Sequence, residues 1–253
     1  MSLKVVGENQ TDMNTDTIQI KPVFVKTKNV RNFETVMNSL SLEDEGRLAM
    51  IYGQAGRGKS RTAHWYNASH NTVYIYAMTV WHNSPLEFLR ALCTEIGHEP
   101  LPGRAAAAQN IFMEYLRKEK PAAVFIDEIE KLSKRFLDIV REMSGKTGVP
   151  FVLIGERELV AAMKINRRVW SRTSEHMEFE GIQLSDAYVY AAEATGLEIS
   201  TEIATELHKS SEGDFRLLKR SVKNAVKIAN AKGKKQITAE MVREAASFGL
   251  KGK

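Results

Sequence analysis

The sequence predicts an α/β protein in which a parallel sheet covered by helices is followed by a small all-helical domain. Three observations predict this fold. Short apolar segments alternate with helical segments from about residue 48 to residue 154, which is typical of a parallel sheet with helices on both faces. A glycine-rich loop follows the first apolar segment. From about Ile182 onward the strand signal stops, and four helical segments follow one another.

We predict three parts along the chain. Residues 1–30 form an N-terminal arm, residues 31–181 the α/β domain, and residues 182–253 the helical domain. The arm is polar apart from a β-like patch at residues 18–25, so we expect an arm or a strand that docks elsewhere. Immediately after the arm, the apolar side chains of residues 32–40 recur at helical spacing and predict an amphipathic helix.

The glycine-rich loop, Gly53–Ser60, reads GQAGRGKS and fits the phosphate-binding pattern G-x-x-x-x-G-K-[ST]. Leu48–Tyr52 before it has the character of a buried parallel strand. Arg61–Asn67 after it contains no Gly or Pro and can continue as a helix. In this strand–loop–helix context, backbone N–H groups cradle a polyphosphate. The predicted nucleotide ligands are Gly53, Gln54, Ala55, Gly56, Arg57, Gly58, Lys59, Ser60 and Arg61, with Asp127 from a later strand.

Three further apolar segments complete the predicted sheet, at residues 72–77, 122–126 and 149–154. Helices lie between them. One has Pro85 in its first turn and ends at Gly97, a second spans residues 105–118, and a third places its apolar side chains inward from Leu132 to Met143. After Ile182, the predicted helices span residues 186–195, 201–210, 214–231 and 238–247.

Two carboxylates, Asp127 and Glu128, close the third predicted strand. At the carboxyl end of a parallel strand, Asp127 can hold Mg²⁺ or its water, together with the Ser60 hydroxyl. Glu128 is placed to orient and polarise an attacking water. Lys59 should reach the β- and γ-phosphates. The sequence therefore predicts a nucleotide hydrolysis site with Lys59 and Glu128 as catalytic residues and Mg²⁺ as a cofactor.

Arginines near the domain junction are candidates for stabilising the transition state, because only Arg offers a fixed planar fork of donors. Arg172 is the favoured arginine to act on a neighbouring subunit's site, with Arg168 as the second choice and ordinary surface charge as the alternative. Arg216 begins a helix of the small domain and could fold over the γ-phosphate. Glu156, after the fourth strand, is either a γ-phosphate sensor or the N-terminal acid of a helix.

Positive charge is concentrated at the C-terminus. The whole chain carries +5, but residues 216–253 hold eleven Lys and Arg against two Glu, a net +9 that leaves −4 for residues 1–215. Such asymmetry points to an anionic polymer or an acidic partner. Five cations recur on one face of the predicted helix that begins at Asp214: Arg216, Lys219, Arg220, Lys223 and Lys227. This basic face either contacts DNA phosphates or is an ordinary solvated helix face. Further candidates are Arg104, Lys131, Lys134 and Arg135, with Trp81-His82 on the same surface.

Together, Gly53–Ser60, Asp127-Glu128, the strand ending at Gly155, Arg172 and Gly213-Asp214-x-Arg216 resemble the motifs of an AAA+ ATPase. Three segments, Ala122–Leu132, Arg141–Gly148 and Val152–Gly155 with Glu158-Leu159, resemble one branch of that family. This branch contains the phage Mu B transposition protein, related transposon target-selection ATPases and secretion-type ATPases of similar sequence. This resemblance spans about residues 32–248. The chain departs from it at Glu156, where a neutral sensor is usual, and in having no helix-turn-helix before the ATPase.

The resemblance implies an ATP-dependent protein that oligomerises as a ring or helical filament on duplex DNA without strong sequence specificity. It also implies a transposase partner and slow ATP hydrolysis used as a switch. A secretion-type ATPase working in a membrane or protein assembly is the alternative, and a small-molecule P-loop kinase a third possibility.

The composition predicts a soluble protein. The single cysteine, Cys93, suits a reducing cytosol, and no apolar window is long enough to span a membrane. We therefore expect a cytoplasmic protein without membrane contact.

Overall fold

The computed structural model describes residues 17–42 and 47–250, with side chains as far as residue 247. The first sixteen residues of the predicted arm lie outside this part of the chain. The described chain forms two compact units. One comprises Lys26–Ile182 together with Gly213–Phe215, and the other contains the residues up to Val25, Gln183–Glu212 and the chain from Arg216 onward.

The first unit contains a five-stranded sheet whose strand pairs are all parallel. The strands are β1 (Leu48–Tyr52), β2 (Thr72–Tyr76), β3 (Ala123–Asp127), β4 (Phe151–Gly155) and β5 (Thr173–Glu178). Their order across the sheet is β2-β3-β4-β1-β5. In the register, Asp127 lies opposite Ile154 and Tyr52 opposite Gly155. The carboxyl ends of β1, β3 and β4 therefore meet at one edge, where ligands bind in open α/β sheets.

Helices accompany the strands as the alternation predicts. In the first unit they are α1 (Lys28–Leu42), α2 (Lys59–Asn67), α3 (Pro85–Glu95), α4 (Ala105–Glu119), α5 (Arg135–Thr147), α6 (Glu158–Ile165) and α7 (Arg167–Trp170). Short 3-10 helices span Thr79–Trp81 and Ile129–Lys131. Helix α1 begins four residues before the predicted Asn32.

Two buried clusters cover the two faces of the sheet. Alternate residues of β1 divide between them, because successive side chains of a strand point to opposite faces. Leu48 and Met50 join a cluster with α3, α4 and α5. Ala49 and Ile51 join another with α1, α2 and the phenylalanines of β3 and the end of β5. The predicted parallel sheet with helices on both faces is confirmed.

Strand β5 was not predicted from the sequence. It lies at the edge of the sheet and pairs only with β1, with a register shift between Leu48 and Ala49. Of its six residues, only Thr173 and Met177 are buried. An edge strand of this kind lacks the continuous apolar run that identifies a central parallel strand. Because most residues of β5 are polar, the sequence pattern did not indicate a strand.

The second unit is helical, as predicted, with α8 (Leu184–Thr195), α9 (Thr201–Ser211), α10 (Phe215–Ala231, of which Phe215 belongs to the first unit) and α11 (Ala239–Leu250). The β-like patch of the arm does not form a strand. Instead, the Ile18 N–H donates to Asn230 Oδ1 at 2.9 Å, Asn230 Nδ2 donates to the Ile18 carbonyl at 3.0 Å, and Lys21 N donates to the Ala194 carbonyl. Residues 18–21 are thus attached to α8 and α10.

Within residues 17–42 and 47–250, none of the helices combines the length and apolar character needed to cross a membrane.

Candidate functional site

The phosphate-binding loop joins the end of β1 to the start of α2. Its glycines 53, 56 and 58 all have positive φ, of 147°, 79° and 97°. Two of them also have no room for a side chain: a Cβ on Gly53 would lie 2.6 Å from the Phe179 carbonyl oxygen, and one on Gly56 would collide with the Asp214 carboxylate. Both conformation and close packing therefore require glycine here, and the loop keeps its backbone open to a ligand.

Lys59 begins α2 and is 8% exposed. Its ammonium donates to the carbonyls of Gly53 at 2.7 Å and Gln54 at 3.1 Å, so it closes the loop on itself. Burial lowers the pKa of Lys59, and the opposing influence of nearby carboxylates, led by Glu156 and Asp127, raises it. Burial has the larger effect, so the pKa of Lys59 is lowered overall, and these carboxylates offset part of the cost of burying the ammonium.

Asp127 ends β3 and is almost fully buried. Its Oδ2 accepts a hydrogen bond of 2.6 Å from the Tyr74 hydroxyl, and its Oδ1 accepts one of 2.9 Å from the Glu128 N–H. Asp127 and Ser60 supply hard oxygen donors, which suit Mg²⁺. The described residues contain no group of three or more His, Cys, Asp or Glu that could bind a metal by itself. Phosphate oxygens and water would therefore supply the remaining ligands.

Glu128 has a left-handed backbone, with φ of 58°. A non-glycine residue in this conformation is strained, and such residues cluster at functional sites. Its carboxylate pairs with Lys131 at 3.3 Å. The Lys131 ammonium also donates to the Tyr76 hydroxyl at 2.6 Å and lies 4.2 Å from the centre of that ring. Lys131, predicted as a DNA ligand, is therefore engaged with the predicted catalytic base.

Glu130 is a site residue that sequence reasoning missed. Its Oε1 accepts a 3.0 Å hydrogen bond from the Glu156 N–H, so it links the turn after β3 to the end of β4. Its Oε2 is buried without a hydrogen-bond partner among the described residues and packs against Gly155, where a Cβ would collide with it. Burial raises the pKa of Glu130. The signal in the sequence was a third carboxylate in the turn after β3, Asp127-Glu128-Ile129-Glu130.

The segment Gly213–Phe215 belongs to the same unit as the phosphate-binding loop. The Phe215 N–H donates to the Gly56 carbonyl at 2.9 Å, and the Asp214 carboxylate packs on Gly56. Arg57 donates to Gln54 Oε1 at 2.6 Å and packs against Gly213. Asp214 belongs to the motif Gly213-Asp214-x-Arg216, in which the sequence predicts a role only for Arg216. Arg216 follows directly in the chain and is exposed in the helical unit.

The remaining predicted residues lie at the surface. Arg168 in α7 and Arg172 before β5 are exposed. Arg104 is exposed at the N-terminus of α4, and Lys134 is exposed before α5. Arg135 donates to the Asn83 carbonyl and lies over the Phe136 ring. On α10, Arg216, Arg220, Lys223 and Lys227 are exposed and Lys219 is half-buried.

Comparison with known proteins finds a matching family model and related phage proteins. The AAA domain family model matches residues 42–163. The chain is 26% identical over 233 residues to the ATP-dependent target DNA activator B of Escherichia phage Mu, covering 88% of this chain and 72% of that protein. It is 24% identical over 206 residues to the Mu-like prophage FluMu DNA transposition protein B of Haemophilus influenzae, covering 78% and 70%.

Among solved structures, the ORC2 protein of Aeropyrum pernix, in its ADPNP and ADP complexes, has the same fold with a TM-score of 0.64. It is 17% identical in sequence, and the match covers 93% of this chain and 70% of that chain. The parallel sheet, the phosphate-binding loop and the helical region after it are common to this fold.

Proposed function

Because the chain is an AAA+ ATPase with relatives among the B proteins of Mu and Mu-like phages, we propose that it binds duplex DNA in an ATP-dependent manner. Bound there as an oligomer, it would prepare the DNA as a transposition target and stimulate a transposase. The names of these relatives, a target DNA activator and a DNA transposition protein, support a role in target activation. The nucleotide site and the basic helix α10 support the dependence on ATP and DNA.

The observation that carries the proposal is the division of α10 into two sides. The cations at positions 216, 220, 223 and 227 are exposed, while Leu218, Val222 and Val226 are buried. We infer that these long cations contact phosphates, which position a protein on duplex DNA without carrying sequence information. Such a surface binds duplex DNA with little sequence preference and with an affinity that falls steeply with salt.

Each residue of the nucleotide site takes a defined part in the proposed hydrolysis. The loop N–H groups and Lys59 would bind the phosphates, and Lys59 would exchange its loop carbonyl partners for phosphate oxygens. Ser60 and Asp127 would hold Mg²⁺, which neutralises phosphate charge when it is bound. Glu128 would orient the attacking water after leaving Lys131. Arg216, and Arg172 of a neighbouring subunit, would stabilise charge on the γ-phosphate.

A DNA-binding titration with and without ATP tests this function. Fluorescence anisotropy or filter binding with labelled duplexes of unrelated sequence would be run from about 50 to 200 mM salt, a range in which several phosphate contacts change affinity by orders of magnitude. We expect tight binding only with ATP and a linear loss of log affinity with log salt. The variant Lys59→Ala should lose nucleotide binding, and ATP should therefore no longer strengthen its binding to DNA. Equal binding without ATP, or none at low salt with ATP, would reject the proposal.

Electron microscopy of the same samples addresses assembly. Rings or filaments on the duplex should form with ATP and should be absent with Lys59→Ala. Particles that remain monomeric with ATP and DNA present would contradict the oligomeric part of the proposal. DNA binding itself is tested separately by the titration.

A further inference from the structure

Tyr74 lies in the middle of β2, with its ring in the aromatic cluster on the α1 and α2 side of the sheet. Only 9% of it is exposed. A buried phenol needs a hydrogen-bond partner, and the Tyr74 hydroxyl finds it in Asp127 Oδ2 at 2.6 Å. The oxygen that receives this bond belongs to the predicted magnesium ligand.

Two donors together fix the Asp127 carboxylate. The Tyr74 hydroxyl occupies one lone pair of Oδ2, and the Glu128 N–H occupies one lone pair of Oδ1. An ionised carboxylate offers about four lone-pair sites, so one remains on each oxygen. With both oxygens held, the plane of the carboxylate cannot rotate, and its remaining lone pairs keep one direction.

The other side of Tyr74 faces the helix that carries the phosphate-binding lysine. The ring centre of His64, on α2, lies 4.0 Å from that of Tyr74. Helix α2 begins at Lys59 and continues through Ser60. Tyr74 thus contacts both the helix that presents Ser60 and the carboxylate of Asp127, the two residues that would share the ion.

From these contacts we propose that Tyr74 is a positioning residue for magnesium: its hydroxyl holds Asp127 in the orientation that binds the ion or its water. The inference rests on the proposed role of Asp127 as a magnesium ligand. Hydrogen-bonding partners of metal ligands contribute about 10- to 100-fold to metal affinity in other proteins. A merely structural hydroxyl would instead affect stability and leave the ion's affinity unchanged.

The test is a magnesium titration of nucleotide binding, which needs no turnover. A fluorescent ATP analogue is bound to wild type and to Tyr74→Phe, first with EDTA and then with increasing Mg²⁺. We expect Tyr74→Phe to weaken the apparent Mg²⁺ affinity about 10-fold and to leave the EDTA affinity for nucleotide within about two-fold. An unchanged Mg²⁺ affinity would overturn the proposal.

Tyr66→Phe is the matched control, because Tyr66 is a buried tyrosine of the same aromatic cluster whose ring packs on Phe33 and Phe125. It should match wild type in both titrations. If it weakens Mg²⁺ affinity as much as Tyr74→Phe does, the effect belongs to the cluster and the proposal fails. If wild type itself shows no Mg²⁺ dependence, then the proposed role of Asp127 fails instead.

Two unnatural residues keep the proposal testable should Tyr74→Phe not fold. 4-Aminophenylalanine at position 74 retains a donor, and 4-methylphenylalanine has a similar size without one. We expect the amino variant to bind Mg²⁺ about 10-fold more tightly than the methyl variant. Equal affinities for the two would overturn the proposal.

Discussion

At the scale of single residues, the proposed hydrolysis depends on the direction in which the Glu128 carboxylate points. One of its oxygens, Oε2, is paired with Lys131, and the residue is held on a left-handed backbone. Glu128→Gln removes the proposed base and keeps the size of the side chain. We expect nucleotide and DNA binding to persist while phosphate release falls about 100-fold or more, measured by a coupled phosphate assay. Hydrolysis at the wild-type rate would contradict the assignment of Glu128 as the base.

Glu130 makes a second prediction, about stability and pH. Burial raises its pKa in the folded protein, and the neighbouring carboxylates Glu128 and Glu156 add to this. A carboxyl whose folded pKa is raised contributes stability that is fully present below its unfolded pKa of about 4.3 and is lost as pH rises through the folded pKa. Glu130→Gln keeps an acceptor for the Glu156 N–H without the charge.

We therefore expect the free energy of unfolding of wild type, relative to Glu130→Gln, to decline from about pH 4 towards neutral pH. Urea unfolding across that range measures it, with Glu158→Gln, on the exposed surface of α6, as the control for removing a carboxylate. If the difference in the free energy of unfolding between wild type and Glu130→Gln stays constant or grows with pH, the pKa of Glu130 is not raised in the folded protein.

At the scale of elements, α10 carries the prediction for DNA. Lys223→Glu with Lys227→Glu reverses two exposed cations one turn apart. Each lost phosphate contact should reduce the salt slope of binding by about one and weaken affinity for all sequences alike. The basal ATPase rate should hold, because the change lies outside the nucleotide site. Arg117→Glu with Lys118→Glu on α4 is the control, since it changes the net charge by the same amount and both residues are exposed in the other unit. Equal loss in both variants would mean that net charge, not α10, governs binding.

The same elements show how far sequence reasoning reaches. The central strands and α8 to α11 were predictable, because apolar runs and helical periodicity are local signals. Strand β5 was not, because its burial comes from pairing with β1 at an edge. The contact between Tyr74 and Asp127 depends on the β2–β3 pairing, in which Tyr76 lies opposite Asp127, and a pattern along the chain does not contain that register. Lys131 was predicted from its charge alone, which cannot identify its ion-pair partner.

At the scale of the whole molecule, the proposed assembly requires a site completed by a neighbouring copy. Arg172 is exposed just before β5, and Arg168 is exposed in α7. An arginine supplied in trans contributes about 10³- to 10⁵-fold to turnover in related phosphoryl-transfer enzymes. Arg172→Ala alone should therefore be almost inactive in hydrolysis while still binding nucleotide.

Mixing two inactive variants separates a trans role from a local one. In an equimolar mixture of Arg172→Ala and Glu128→Gln, a site formed from Glu128 of one protomer and Arg172 of the next is complete. Random association in a head-to-tail oligomer makes about a quarter of the sites complete, so the mixture should regain about that share of the wild-type phosphate release. The same mixture made with Arg168→Ala tests the second candidate. Recovery only with Arg168→Ala would transfer the role to Arg168, and no recovery with either would mean that neither arginine acts on a neighbour's nucleotide.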